Sequence, residues 1–155
     1  MKALTIYQPW ASLIIGRAKP HEFRSWDYSA RFPSLVGQRI VIHAAVRPMK
    51  LPEILDLLNR LKDGTTGLIP DLARPMLERV MDAPKGRGVL ELGAGLGTAI
   101  LGKPVSVTEM AQGTVLQDSD RIDHSLFGWP LTEIEPFPHP IMCNGAQGFW
   151  NWKAA

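Results

Sequence analysis

Cysteine is almost missing from this chain, with Cys143 alone among 155 residues. A single thiol excludes an internal disulfide and any multi-cysteine zinc site. His139, four positions upstream across Pro140, is the nearest histidine in that segment. Cys143 therefore reads as a small, half-buried side chain and not as a nucleophile. No apolar run approaches the roughly 20 residues that a membrane helix requires, and the first residues lack the shape of a signal peptide. The expectation is a cytoplasmic protein with no membrane association. A strong overall charge is missing too, the net value being +2.

What is present is ordinary for a folded domain: 45% hydrophobic and 21% charged residues. The length is enough to bury one core and too short for two substantial ones, so residues 1–155 are expected to form a single domain. The small net charge conceals an uneven distribution. Residues 1–50 carry eight Lys or Arg against Glu22 and Asp27, a net +6, while the other 105 carry nine against thirteen, a net −4. A basic N-terminal third is suited to meeting phosphates, although charge alone does not separate that use from solvated surface.

Lys2 to Gln8 alternates well enough for a short strand. Pro9 fits the first position of a helix, in which Trp10, Leu13 and Ile14 share one buried face and Gly16 supplies a stop. Pro20 pushes Lys19 out of helical geometry, so a strand should begin near His21. Along that strand Glu22, Arg24 and Trp26 share one face, and His21, Phe23 and Ser25 the other. A carboxylate and a guanidinium two positions apart on one face are near enough to couple, either as a structural ion pair or as the polar floor of a pocket.

Phe32-Pro33-Ser34 with Gly37 predicts a turn, and Arg39 to Ala45 a central strand with His43 near its end as a hydrogen-bonded core or rim residue. Between about 46 and 88, prolines punctuate two helical patterns. Leu51, Ile54, Leu55, Leu58 and Leu61 form the apolar face of the first, and Leu72, Met76, Leu77 and Val80 that of the second. Both faces read as packing in a helical insertion. Gly97 to Met110 regains strand character, and Asp118 to Asp123 reads as an acidic turn. Gly128 to Glu135 and Pro136 to Met142 read as two further strands, and Gly148 to Trp152 ends the chain with aromatic bulk. Short strands, frequent Pro and Gly and no regular βαβ alternation indicate an α+β class: a small mixed β-barrel with flanking helices.

Val89-Leu90-Glu91-Leu92-Gly93-Ala94-Gly95-Leu96-Gly97 resembles the first motif of an S-adenosylmethionine-dependent methyltransferase. That motif needs a strand, a glycine turn and a following helix in a Rossmann unit. Here the glycines lead into Thr98 to Lys103, which reads as another strand. The methyltransferase reading ranks last beside that of a protein-interaction domain.

Taken together, four separated stretches resemble the ASCH domain of the PUA-like superfamily. They are Ile6 to Ile14, the signature Lys19-x-x-Glu22-x-Arg24, Gly97 to Val107, and Gly128-Trp129 with Pro140 to Trp150. The family glycine stands two places before the lysine, whereas Gly16 precedes Lys19 by three with Arg17 in the usual place. The resemblance implies a PUA-like barrel that binds RNA, single-stranded nucleic acid or a modified nucleoside. Gln8, Trp10, Arg17, Lys19, Arg24 and Trp26 would then be the contact residues. It also implies an alternative, a hydrolase acting as a ribonuclease or as an amidohydrolase on acylated cytidine. Lys19 would be its base or nucleophile, with Glu22 and Arg24 assisting. The amidohydrolases of the family carry threonine at the position of Glu22 and use a distant acid; Glu109, Asp118, Asp120 and Asp123 are the candidates here. No cofactor and no metal is expected.

Overall fold

The computed structural model describes residues 1–83, 88–112, 116–118 and 125–153. Strand β1 (Lys2–Ile6) runs parallel to β3 (Arg39–Ala44), with Lys2 opposite Ile40 and Ile6 opposite Ala44. Antiparallel β4 (Ala94–Leu101) continues the sheet into β6 (Phe127–Met142), which also receives β2 (His21–Arg24) and the two-residue β5 (Val105–Ser106). On the other side of β1 lies β7 (Phe149–Asn151). The order is β2-β6-β4-β3-β1-β7, curled into a half-barrel. The α+β class and the barrel-like sheet thus agree with the sequence expectation.

Where two strands are expected after Gly128, one strand of 16 residues forms. Its prolines interrupt the ladder without ending it, since a strand residue lacking N–H is tolerated at a bulge. Pro136 sits opposite Gly97 between two register shifts. There a Cβ on Gly97 would lie 2.6 Å from the Glu135 carbonyl oxygen, so the glycine permits the close backbone approach. Gly95 plays the same part for the Trp152 ring, 2.4 Å from where its Cβ would stand. Gly95 and Gly97 therefore lie inside an antiparallel strand, with Gly93 at positive φ just before it, and no helix directly follows the glycines. After β5 the chain forms a short helix, α4 (Val107–Met110), where strand is expected.

Helix α1 (Trp10–Ile15) packs on β3, β4 and β6, placing Leu13 and Ile14 against Ile40, Ile42 and Leu101. Over the same core lie α2 (Leu51–Asp63) and α3 (Pro70–Asp82), the two helices expected between about 46 and 88. Their buried residues are Ile54, Leu57 and Leu61, and Ala73, Leu77 and Val80. Leu55 and Leu72, expected on the packed faces, are 50% and 47% exposed. The contact stripe is narrower than the hydrophobic pattern: α2 turns an i, i+3, i+7 row inward and α3 an i, i+4, i+7 row. Among the described residues no helix is long and apolar enough to cross a membrane.

Candidate functional site

Lys19 reaches the interior because of how α1 ends. Gly16 caps the helix with ordinary φ, and Arg17 takes the left-handed conformation at φ 60°. Ala18 and Lys19 then both donate their N–H groups to the Leu13 carbonyl, at 2.8 and 3.0 Å. This closure reverses the chain and satisfies an orphan helix carbonyl. Gly16 has its own packing duty, since a Cβ there would stand 3.0 Å from Met76 Cε. Arg17 is thus the residue that makes the turn.

Lys19 is 2% exposed, and its ammonium donates a hydrogen bond to Asp118 Oδ2. Glu22 Oε2 lies 3.6 Å from the same nitrogen, and the Phe23 ring centre 4.7 Å from it. Glu22 turns its other oxygen, Oε1, to Arg24 Nε at 3.0 Å, an ion pair without the alignment of a hydrogen bond. Four charges thus alternate from Asp118 through Lys19 and Glu22 to Arg24. Unpaired charge would be costly at this depth, and the alternation compensates it. Both roles considered for the Glu22–Arg24 pair meet here, because the ion pair also lines a cavity.

That cavity is a groove of about 1130 Å³. Its lining joins Glu22, Arg24 and Trp26 from β2 and the residues after it, with Trp10 and Asp118, to Tyr7 after β1, with His43, Arg47, Lys50 and the loop 144–148. The curl of the sheet brings these parts together, because β1 and β2 stand at separated places in the strand order. Trp10 holds Asp118 in position by donating its indole N–H to the Asp118 carbonyl at 2.7 Å. Gln117 adds two contacts, its N–H to the Thr65 carbonyl at 3.1 Å and its Oε1 accepting from Arg60 at 3.1 Å. Helix α2 and the loop after it thereby help to seat the acid.

Trp26 is 37% exposed and meets the Trp129 ring edge-on at 5.3 Å, while the Arg24 guanidinium lies 5.7 Å from the Trp129 ring centre. His43 is a buried rim residue, as expected. Trp150 donates its indole N–H to Thr5 Oγ1 at 3.0 Å, and His43 Nδ1 lies 3.2 Å from that hydroxyl. His43 Nε2 lies 3.1 Å from the Cys143 carbonyl oxygen. If Thr5 donates to Nδ1, then Nε2 carries the proton and donates to Cys143, a neutral ring with both nitrogens satisfied. Burial pushes the His43 pKa below its ordinary value. His21 is lowered as well, by burial first and then by the Lys19 charge.

Of the residues expected at the site, Lys19 stands beside the groove floor, which Trp10, Glu22, Arg24 and Trp26 line. Gln8 does not line the groove. It is fully buried, donating to Ser12 Oγ and the Glu91 carbonyl, both at 2.8 Å, and accepting from the Ser12 N–H. Arg17 is exposed on another face and donates to the Ile134 carbonyl at 3.1 Å. Among the candidate acids, Asp118 meets Lys19 and Glu109 is exposed on α4; Asp120 and Asp123 lie outside the described residues. Tyr7, Arg47 and Lys50 were missed as groove residues. The basic count of the first 50 positions includes both cations, but it carries no address. No described group of three or more His, Cys, Asp or Glu side chains is arranged to hold a metal ion. In comparison with known proteins, no family model and no curated sequence matches the chain.

Proposed function

We propose that this is a PUA-like domain of the ASCH type that binds RNA, single-stranded nucleic acid or a modified nucleotide in the groove. The observation that carries the reading is the joining of an alternating-charge floor to exposed aromatic and cationic groups in one groove. Arg24 and Lys50 supply positive charge for phosphate, and Trp26 supplies a face for a base. Glu22 orders Arg24 and offers an acceptor to a base edge or ribose hydroxyl. The half-barrel sheet and the meeting of Lys19, Glu22 and Arg24 support the family resemblance. Binding of short RNA and single-stranded DNA, titrated at low and high salt, tests the reading. Affinity that is absent, or indifferent to salt, would remove it.

A second reading, a hydrolase acting on RNA or a modified nucleoside, is favoured by the contact of Lys19 with Asp118. A buried amine between two carboxylates has partners for proton transfer. Screening RNA oligomers and modified nucleosides by mass spectrometry tests it. Turnover should disappear in a folded Lys19→Arg variant, and retained turnover would take Lys19 out of the chemistry.

A further inference from the structure

Tyr7 and Arg47 pair in the same groove that Glu22, Arg24 and Trp26 line, and they follow strands of the sheet other than β2. Tyr7 follows β1 and is 47% exposed, so its ring is open to a ligand in the groove. The Arg47 guanidinium carbon lies 4.6 Å from its ring centre. Arg47 is itself held by two hydrogen bonds, NH1 to Glu53 Oε2 at 3.1 Å and NH2 to Glu53 Oε1 at 2.6 Å. A guanidinium fixed by a forked carboxylate keeps its plane, and the stacked pair loses little freedom when a third planar group joins it. Lys50 is exposed and also lines the groove, where it can meet a phosphate.

Trp26 is the counterpart beyond β2. The two rings reach the groove from strands separated in the sheet by β6, β4 and β3. A volume of about 1130 Å³ is also more than one drug-sized ligand fills, since such pockets span roughly 300–1,000 Å³. Resting on the nucleic-acid reading above, we infer that Tyr7 with Arg47 is a second base-stacking subsite, so that the groove takes a single strand of two or more nucleotides. A lone nucleoside occupies only the Trp26 and Arg24 side.

The experiment titrates nucleoside 5′-monophosphates, the corresponding 5′-phosphorylated dinucleotides and a mixed-sequence single-stranded oligomer against wild type, Tyr7→Ala, Tyr7→Phe and Trp26→Ala. The Tyr7 ring is exposed, so its loss spares the core. Tyr7→Ala should weaken dinucleotide and oligomer binding roughly 5- to 150-fold, the range of one stacking contact, and leave monophosphate binding unchanged. Tyr7→Phe should restore it, and Trp26→Ala should weaken all three probes. Oligomer binding that survives Tyr7→Ala intact, or monophosphates losing as much as dinucleotides, overturns the second subsite and leaves the groove reading standing. Failure of wild type to bind any probe overturns both.

Discussion

Lys19 and Asp118 are 99 positions apart in sequence and form a buried ion pair, with Glu22 as second anion on the same ammonium. Lys19→Met would leave two carboxylates together without their shared cation, and removing one partner of a buried pair costs about 3–5 kcal/mol. Asp118→Asn should cost less, because Glu22 still faces the amine. In urea unfolding the double variant should lose less than the sum of the single losses by at least about 1 kcal/mol. Additive losses would mean that the two side chains do not act together.

Arg24 is the floor cation nearest to solvent, its side chain 26% exposed. Arg24→Ala should weaken single-strand binding and flatten the dependence of log affinity on log salt by about one unit. Arg17→Ala, on another face, should leave that slope unchanged. Fluorescence titrations at several salt concentrations read both slopes.

Gly97 and Gly95 differ in what an added methyl group would strike. At Gly97 it meets backbone, the Glu135 carbonyl at 2.6 Å and Pro136 Cα at 2.8 Å; at Gly95 it meets the Trp152 ring near the end of the described chain. A side chain yields more readily than a paired strand. Gly97→Ala should therefore cost about 1–3 kcal/mol or more, and Gly95→Ala less. Thermal unfolding of both variants checks the order.

The buried His43 makes stability depend on pH with a definite sign. Its folded pKa lies below the ordinary 6.5, so below that pH the unfolded chain takes up a proton that the native ring resists. The stabilisation is present above the unfolded value and is lost as pH falls through the folded one; His21 adds in the same direction. Unfolding free energy should fall from about pH 7 to about pH 5, and His43→Gln should flatten that decline.

Tyr28 acts at the alkaline end. Burial, with help from the Asp27 charge, raises its hydroxyl to about 12, and the hydroxyl donates to the Gly102 carbonyl at 2.7 Å. The unfolded hydroxyl ionises near 10, so the contribution of Tyr28 is intact below that pH and declines between the two values. Tyr28→Phe should remove this decline in alkaline unfolding curves, at a cost of about 1 kcal/mol near neutrality.

The α+β class, both insertion helices and the coupling of Glu22 with Arg24 were legible because each depends on neighbours in sequence. Strand period brings positions 22 and 24 together, and helix period picks out Ile54 and Leu61. Leu55 and Leu72 were misjudged because periodicity marks an apolar arc, whereas the width of the facing surface chooses which part of it is covered. The long β6 departs from the two expected strands because proline rules describe regular ladders, while the register shifts on either side of the Gly97–Pro136 pair form only where β4 and β6 meet.

The local pieces are written in the order of residues: a short α1 that delivers Lys19, a strand that aligns Glu22 with Arg24, and a surplus of cations in the first third. Tertiary structure alone decided which acid meets Lys19, that Gln8 is turned inward, and that Tyr7 and Arg47 share a groove with Trp26. The physical reason is distance along the chain. Local patterns follow from backbone geometry over a few residues, but the site is assembled where a curled sheet brings separated strand ends together.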